Sequence, residues 1–359
     1  MGPPTPNAES PVLSWISTTF GDAWGPLRLL NSFFFLAAIG FAASALVTWL
    51  VLPRLWPMLP KDRGRAFAVN AEMSVGKPLS AGLIFVSIFC LASLIFVPWD
   101  ARCVWTIPFM VAAMIVGYFD DKRGGFSEYA LALMDMAIAL GVAAVIYRMD
   151  PAVIWLPGWK GAITLPWWLS IPLATGVIWL SINATNCSDG VDGVSGSLTA
   201  TAIMILGGLL YAVIGNDVVA RHFDIPFNRE GASWAIMAFV MVGCVAGYLW
   251  YNAAPSLVLM GDSGSRPLGL LIGMLVVATN NPLFLLLVGS VIVLNGATGL
   301  VKVALARFLG LRILGKIRFP LHDHCRKELG WSNTQVLVRF MLLHLGVSAL
   351  LVILVLKVR

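Results

Sequence analysis

Five aspartates stand where a lone carboxylate is unfavourable. Asp120 and Asp121 are adjacent at the end of a long apolar run. Asp189 and Asp192 lie in Ser-Asp-Gly-Val-Asp-Gly, and Asp262 lies in Met-Gly-Asp-Ser-Gly-Ser. Adjacent carboxylates repel, and desolvation at the border of an apolar region strengthens the repulsion. A divalent cation or a neighbouring lysine relieves it. Mg²⁺ suits such a set, because it takes one or two carboxylates, keeps several waters and binds phosphate oxygens. The glycines beside Asp189, Asp192 and Asp262 let backbone approach a phosphate closely. The N–H groups of Gly-Asp-Ser-Gly-Ser can cradle an anion at a helix start. Asn183, Asn186 and Asn252 add amides, and His322-Asp323-His324 adds two imidazoles.

Each cluster also has a plainer reading. A paired Asp at a helix end is usually a solvated cap, and Asp-Gly is usually a turn. Asn-x-x-Asn can simply bond two helices together. His-x-His beside Cys325 suggests zinc only weakly, since the paired ligand spacing is missing. What raises the chemical reading is that all the clusters fall on one predicted face.

The elements that position them are long apolar runs. The chain has 359 residues, 59% hydrophobic and 12% charged, with a mean hydropathy of +0.86. Soluble domains carry about twice that charged fraction. A bilayer accommodates the excess apolar surface, since each spanning helix needs roughly 20 apolar residues. Ten candidate spans lie near 31–52, 81–98, 103–118, 129–147, 166–182, 194–214, 233–250, 267–280, 282–306 and 334–356. The ninth contains Asn295-Gly296 and Thr298-Gly299, which predicts a bend or break. The expected fold is therefore an all-α integral membrane protein of about ten transmembrane helices. Residues 1–29 form an N-terminal periplasmic tail, and 30–359 form a single polytopic domain. The first span reads as a retained helix, because it is too long for a signal-peptide core and no small-residue cleavage site follows it.

Loop charge sets the orientation. The loops after odd-numbered segments hold 15 of the 24 Lys and Arg residues, and the opposite side holds eight. The positive-inside rule then puts those loops in the cytoplasm and both termini in the periplasm. Four of the five cytoplasmic loops carry the polar clusters. The net charge of +6 needs no nucleic acid to explain it, since an anionic membrane face suffices. Five cysteines without paired spacing argue against a disulfide framework.

With these strings in view, the chain resembles the polyprenyl-phosphate N-acetylhexosamine-1-phosphate transferase superfamily, most nearly its phospho-N-acetylmuramoyl-pentapeptide transferase (MraY) family. The carrying strings are FDD at 119–121, NATNCSDGVDG at 183–193, YNAAPSLVLMGDSGS at 251–265 and PLHDHCRKELGWSNTQVLVRF at 320–340. A looser Gly-rich match runs from Gly76 to Gly82. Three departures stand out: Asp323 replaces the middle histidine of three, Leu259 replaces an aromatic, and the loop after Asp121 is short.

The resemblance implies an enzyme of peptidoglycan synthesis in the bacterial inner membrane. It implies transfer of a phospho-sugar from a UDP-linked amino-sugar donor to undecaprenyl phosphate, with Mg²⁺ as cofactor and Mn²⁺ as its substitute. Asp262 would be the metal ligand. Asp120, Asp121, Asp262 and His324 would be catalytic. Lys77, Asn183, Asn186, Asp189, Asp192, Asn252 and His322 would bind substrate, and the family implies a homodimer. Three other readings compete, one of them a catalytically lapsed relative that binds lipid or partners, against which the intact Asp120, Asp121, Asp189, Asp192 and Asp262 argue. A transferase for UDP-N-acetylglucosamine would share the first three strings, while such relatives usually end the fourth differently. A secondary transporter would explain Asp135 inside a span, but it predicts midplane sites and inverted repeats, and no repeat is visible.

Overall fold

In the computed structural model, residues 11–64, 74–311 and 314–358 are described. Arg65, Arg312 and Arg359, counted in the charge argument, lie outside them, as do the first ten residues of the expected tail. From Pro11 the tail is not irregular: α1 (Pro11–Phe20) precedes a short 3₁₀ turn.

The helices that follow are α2 (Phe33–Leu55), α3 (Gly82–Phe96), α4 (Ile107–Arg123), α5 (Glu128–Tyr147), α6 (Trp167–Cys187), α7 (Val194–Leu209), α8 (Asp217–His222), α9 (Gly231–Asn252) and α10 (Asp262–Ala278). Then come α11 (Phe284–Val288), α12 (Ser290–Ile292), α13 (Thr298–Phe308), α14 (Leu321–Lys327) and α15 (Asn333–Lys357). Eight helical stretches among the described residues are long and apolar enough to cross a membrane. Two further helices match expected spans but are shorter: α3 has 15 residues and α10 has 17. The protein is a helical membrane protein.

Local chemistry sets the helix ends. Ser127 caps α5 by accepting the Ala130 N–H, and Gly124, at φ 82°, ends α4 in the left-handed conformation. Ser332 and Gln335 form a reciprocal capping box on α15. The predicted break in the ninth segment is a π-helical turn at Val293–Ala297, between α12 and α13.

α10 is the axis of the bundle, buried along its whole length. It packs on α3, α4, α6 and α7. Small residues let backbones approach closely where lipid supplies no hydrophobic drive. A Cβ at Gly269 or Gly273 would meet the Cα of Ile182 or Ile178 at 2.6 and 2.7 Å, so α6 lies directly on this face.

The structure corrects the sequence reading in two places. The polar clusters assigned to loops sit largely on helix ends: Asp120 and Asp121 in the last turn of α4, Asn183 and Asn186 in the last turns of α6, Asn252 at the end of α9, and Asp262 at the start of α10. Hydropathy misplaces these ends because the helical ladder continues past the last apolar residue. Second, a two-stranded antiparallel ribbon, β1 (Ala152–Ile154) with β2 (Ile163–Leu165), joins α5 to α6. Three-residue strands are too short to show an alternating pattern.

Candidate active site

The alternation of the helices brings the C-terminal ends of α4, α6 and α9 and the N-terminal end of α10 to one end of the bundle. A cavity of about 580 Å³ lies at the other end, lined by Arg102, Tyr147, Asn228, Glu230, Trp234 and Asn280 among others. None of the motif residues lines it.

The two adjacent aspartates have different jobs. α10 has no side-chain cap of its own, because its N-cap position is Gly261. Asp121 supplies the cap from α4: Oδ1 accepts the Asp262 N–H at 3.0 Å, and Oδ2 accepts the Ser263 N–H at 3.3 Å and the Ser80 hydroxyl at 2.7 Å. A carboxylate at a helix N-terminus also meets the positive end of the macrodipole. Asp120 points elsewhere. Its Oδ1 accepts the Phe126 N–H at 2.5 Å, and its carboxylate lies within hydrogen-bonding reach of that of Asp262. A Cβ at Gly117 would meet the Asp262 carbonyl at 2.2 Å, and one at Gly82 would meet the Gly264 nitrogen at 2.1 Å. These two glycines let α3 and α4 close directly on the first turn of α10.

Asp262 is 6% exposed. Its Oδ2 accepts from Arg266 Nε and Nη2 at 3.2 and 3.1 Å. Arg266 was counted from sequence as a loop cation. It is instead buried in the second turn of α10, and its Nη1 donates to Asp135 Oδ2 at 2.5 Å. Asp135 therefore has a partner within the bundle.

A second chain of contacts joins distant segments. Lys77 Nζ donates to Ser256 Oγ at 3.0 Å, and Ser256 donates that hydroxyl to Asp192 Oδ1 at 2.8 Å and its N–H to Asp192 Oδ2 at 3.1 Å. Asn186 Nδ2 donates to Ser265 Oγ at 2.9 Å, and Asn183 Nδ2 to the Trp179 carbonyl at 2.9 Å, with Asn183 beside Asp135. Asp189 lies half-buried in the turn after α6. Asn252 is used structurally: Oδ1 accepts the Gly193 N–H, and Nδ2 donates to the Val258 carbonyl, each at 2.8 Å.

The histidines are also distinct from one another. His322 is 2% exposed. Its ring Nδ1 lies 3.1 Å from Asn295 Oδ1, and its Nε2 faces Gly190. Burial, aided by Arg326, pushes its pKa down to about 3, so the ring is neutral at neutral pH. Asp323 lies near His322, Arg326 and Arg318 at 3.7, 3.6 and 3.9 Å. Burial raises the Asp323 carboxyl and the three nearby cations (Arg326, Arg318 and Lys327) oppose that. His324 accepts a long hydrogen bond, 3.5 Å, from the Arg318 N–H.

Sequence reasoning missed Ser80, Ser256, Ser265 and Arg266 as parts of this network, and Gly117 altogether. Ser265 and Arg266 carried a signal, since they fall at i+3 and i+4 from Asp262 on one helix face.

The comparisons with known proteins show the family. The chain is 43% identical over 338 residues to the phospho-N-acetylmuramoyl-pentapeptide-transferase of Treponema pallidum (strain Nichols), covering 92% of each chain. The chain belongs to the phospho-N-acetylmuramoyl-pentapeptide-transferase family. Relatives of the same name in Dinoroseobacter shibae and Ruegeria pomeroyi are 31% and 28% identical, covering 81% and 97% of this chain and 82% and 100% of theirs. The family model described as Glycosyl transferase family 4 matches residues 104–280. That stretch holds all five motif aspartates, Asp135 and Arg266, while His322 and His324 lie beyond it.

Among the described residues, no three His, Cys, Asp or Glu side chains are grouped to hold a metal by themselves. Mg²⁺ needs fewer, since one or two carboxylates with waters and substrate phosphate complete its shell. The facing carboxylates of Asp120 and Asp262 match that donor set.

Proposed function

We propose that this protein transfers phospho-N-acetylmuramoyl-pentapeptide from its UDP donor to undecaprenyl phosphate, releasing UMP. The observation that carries the reading is the convergence of Asp120, Asp121 and Asp262 from two helices at one end of the bundle, in a chain whose relatives bear that activity's name. An acceptor phosphate oxygen attacks the donor's sugar-bearing phosphorus. The P–O bond to UMP breaks, and the lipid-linked pyrophosphate forms. Phosphoryl transfer depends mainly on positioning and charge neutralisation. A phosphate monoester has a second pKa of about 6, so the acceptor is largely dianionic at neutral pH and needs little help from a base.

Each residue's role follows from its contacts. Asp262 and Asp120 would hold Mg²⁺, which when bound neutralises the phosphate charge that develops during transfer. Asp121 keeps the α10 N-terminus where Asp262 is needed, and Asp120 accepts any proton left on the acceptor. Lys77, tethered to Asp192 through Ser256, meets the donor phosphates. His322, buried and neutral, orients the turn around Gly190 rather than acting as a cation. His324, Asn186 and Asp189 line the donor side. In the bilayer we read α3 and α10 as crossing with the eight longer stretches. The site then faces the cytoplasm of the inner membrane, where a soluble nucleotide donor meets a headgroup-level acceptor.

The test offers purified protein undecaprenyl phosphate and Mg²⁺, with UDP-MurNAc-pentapeptide and UDP-GlcNAc in parallel. UMP and a new lipid product with the pentapeptide donor alone are expected. Turnover of UDP-GlcNAc instead moves the protein to a different donor class. Turnover of neither by folded protein defeats the transferase reading.

A further inference from the structure

Arg266 is 3% exposed and bridges two buried carboxylates. Asp135, its partner on α5, is fully buried. It lies about 10 Å along that helix from Glu128. Three ions so deeply buried are expensive, and an apolar bundle is commonly as stable, or more so, with well-packed aliphatic side chains in their place. Stability alone therefore does not account for them. The geometry at Asp262 does. Two guanidinium nitrogens converge on its Oδ2, and Arg's planar fork fixes orientation in a way that a lysine's point charge does not. Held so, the Asp262 carboxylate faces Asp120.

The geometry points to Arg266, anchored by Asp135, as a positioning residue that orients Asp262 and places a resident positive charge in the carboxylate cluster, so setting how tightly that cluster binds a divalent cation. The inference rests on the reading of Asp262 as a cation ligand. The two members of the pair act with opposite sign. Removing Asp135's charge alone leaves the cation in place and makes the cluster more positive, which weakens Mg²⁺ binding. Replacing both with leucine removes the cation nearest Asp262, which tightens Mg²⁺ binding but frees the carboxylate to turn.

The experiment titrates Mg²⁺ into substrate-free protein in detergent, followed by calorimetry, and measures turnover separately. Asp135→Asn should raise the half-saturating Mg²⁺ by roughly threefold or more. Asp135→Leu with Arg266→Leu should lower it, while kcat falls roughly 10- to 100-fold. Arg266→Lys should keep the midpoint within about twofold yet lose kcat, because charge remains and the fork does not. Midpoints unchanged in all three, or both leucine and asparagine variants shifting the same way, would overturn the proposal, as would a double-leucine variant with wild-type kcat. Should the double variant not fold, Asp135→Asn and Arg266→Lys, which nearly preserve volume, decide it. A wild type that binds Mg²⁺ but turns over neither donor defeats the assigned reaction, and the titration still decides the positioning role. A wild type that binds no Mg²⁺ overturns both.

Discussion

Both ends of the bundle hold an arginine paired with carboxylate, and the two pairs are built for different surroundings. At the cavity end, Arg102 Nε lies 3.3 Å from Glu230 Oε1, its backbone N–H donates to Glu230 Oε2 at 2.9 Å, and its Nη1 donates to the Ile146 carbonyl at 2.9 Å. Those side chains are 38% and 27% exposed. At the site end, the side chains of Arg266, Asp135 and Asp262 are 4%, 0% and 9% exposed. Water and salt screen the first pair, so it contributes little. Burial leaves the second little screened, so its members hold one another in place and a member that loses its partners is left charged with little water around it. The wet pair ties segments together, whereas the dry pair controls a carboxylate.

The largest test of this contrast is chemical. Asp262→Asn should lower turnover roughly 10³-fold while the protein stays folded in detergent. Glu230→Gln, at the opposite end, should leave turnover near the wild-type value. Comparable losses from both would erase the distinction between the ends.

The next is energetic. Asp135→Leu alone leaves Arg266 on Asp262 but takes the partner of its buried Nη1, and should destabilise the protein by about 1.5–3 kcal/mol. Glu230→Leu should cost about 0–1 kcal/mol. Unfolding midpoints of the two variants, measured side by side, separate these values.

Acid sharpens the comparison further. His322 stays neutral in the fold down to about 3, whereas in the unfolded chain it protonates near 6.5. Its contribution is therefore full above the unfolded value, falls as pH drops below it, and is lost by the folded value. At pH 5 the loss is about 2 kcal/mol. His322→Gln should flatten that acid limb, and an unchanged pH profile would refute the burial argument.

The smallest effect is expected at Ser256. Ser256→Ala removes the bridge between Lys77 and Asp192. It should cost about 1 kcal/mol, seen as a several-fold rise in KM for the donor with little change in kcat.

Much of the architecture was legible in the chain. All ten apolar segments coincide with helices, because a run of apolar residues in lipid has no other way to satisfy its backbone. The bend near Asn295-Gly296 was legible as well. The helix ends were not, since Asp120, Asn186 and Asp262 continue or start helices with polar residues that hydropathy assigns to loops. Arg266 was misassigned for the same reason. Asp135 read as an isolated polar residue because its partner is 131 positions away.

The sequence by itself determined a helical membrane protein with its carboxylates, amides and histidines gathered on one side, and its strings placed it near the right family. Those properties are carried by composition and by neighbours a few residues apart. Only the tertiary structure decided that Asp121 caps a helix beginning 141 residues later, that Asp120 is left to face Asp262, and that Arg266 holds the latter from behind. The physical reason is that a carboxylate's role depends on which donors and charges surround it, and here these come from separate helices brought together where glycines let their backbones meet.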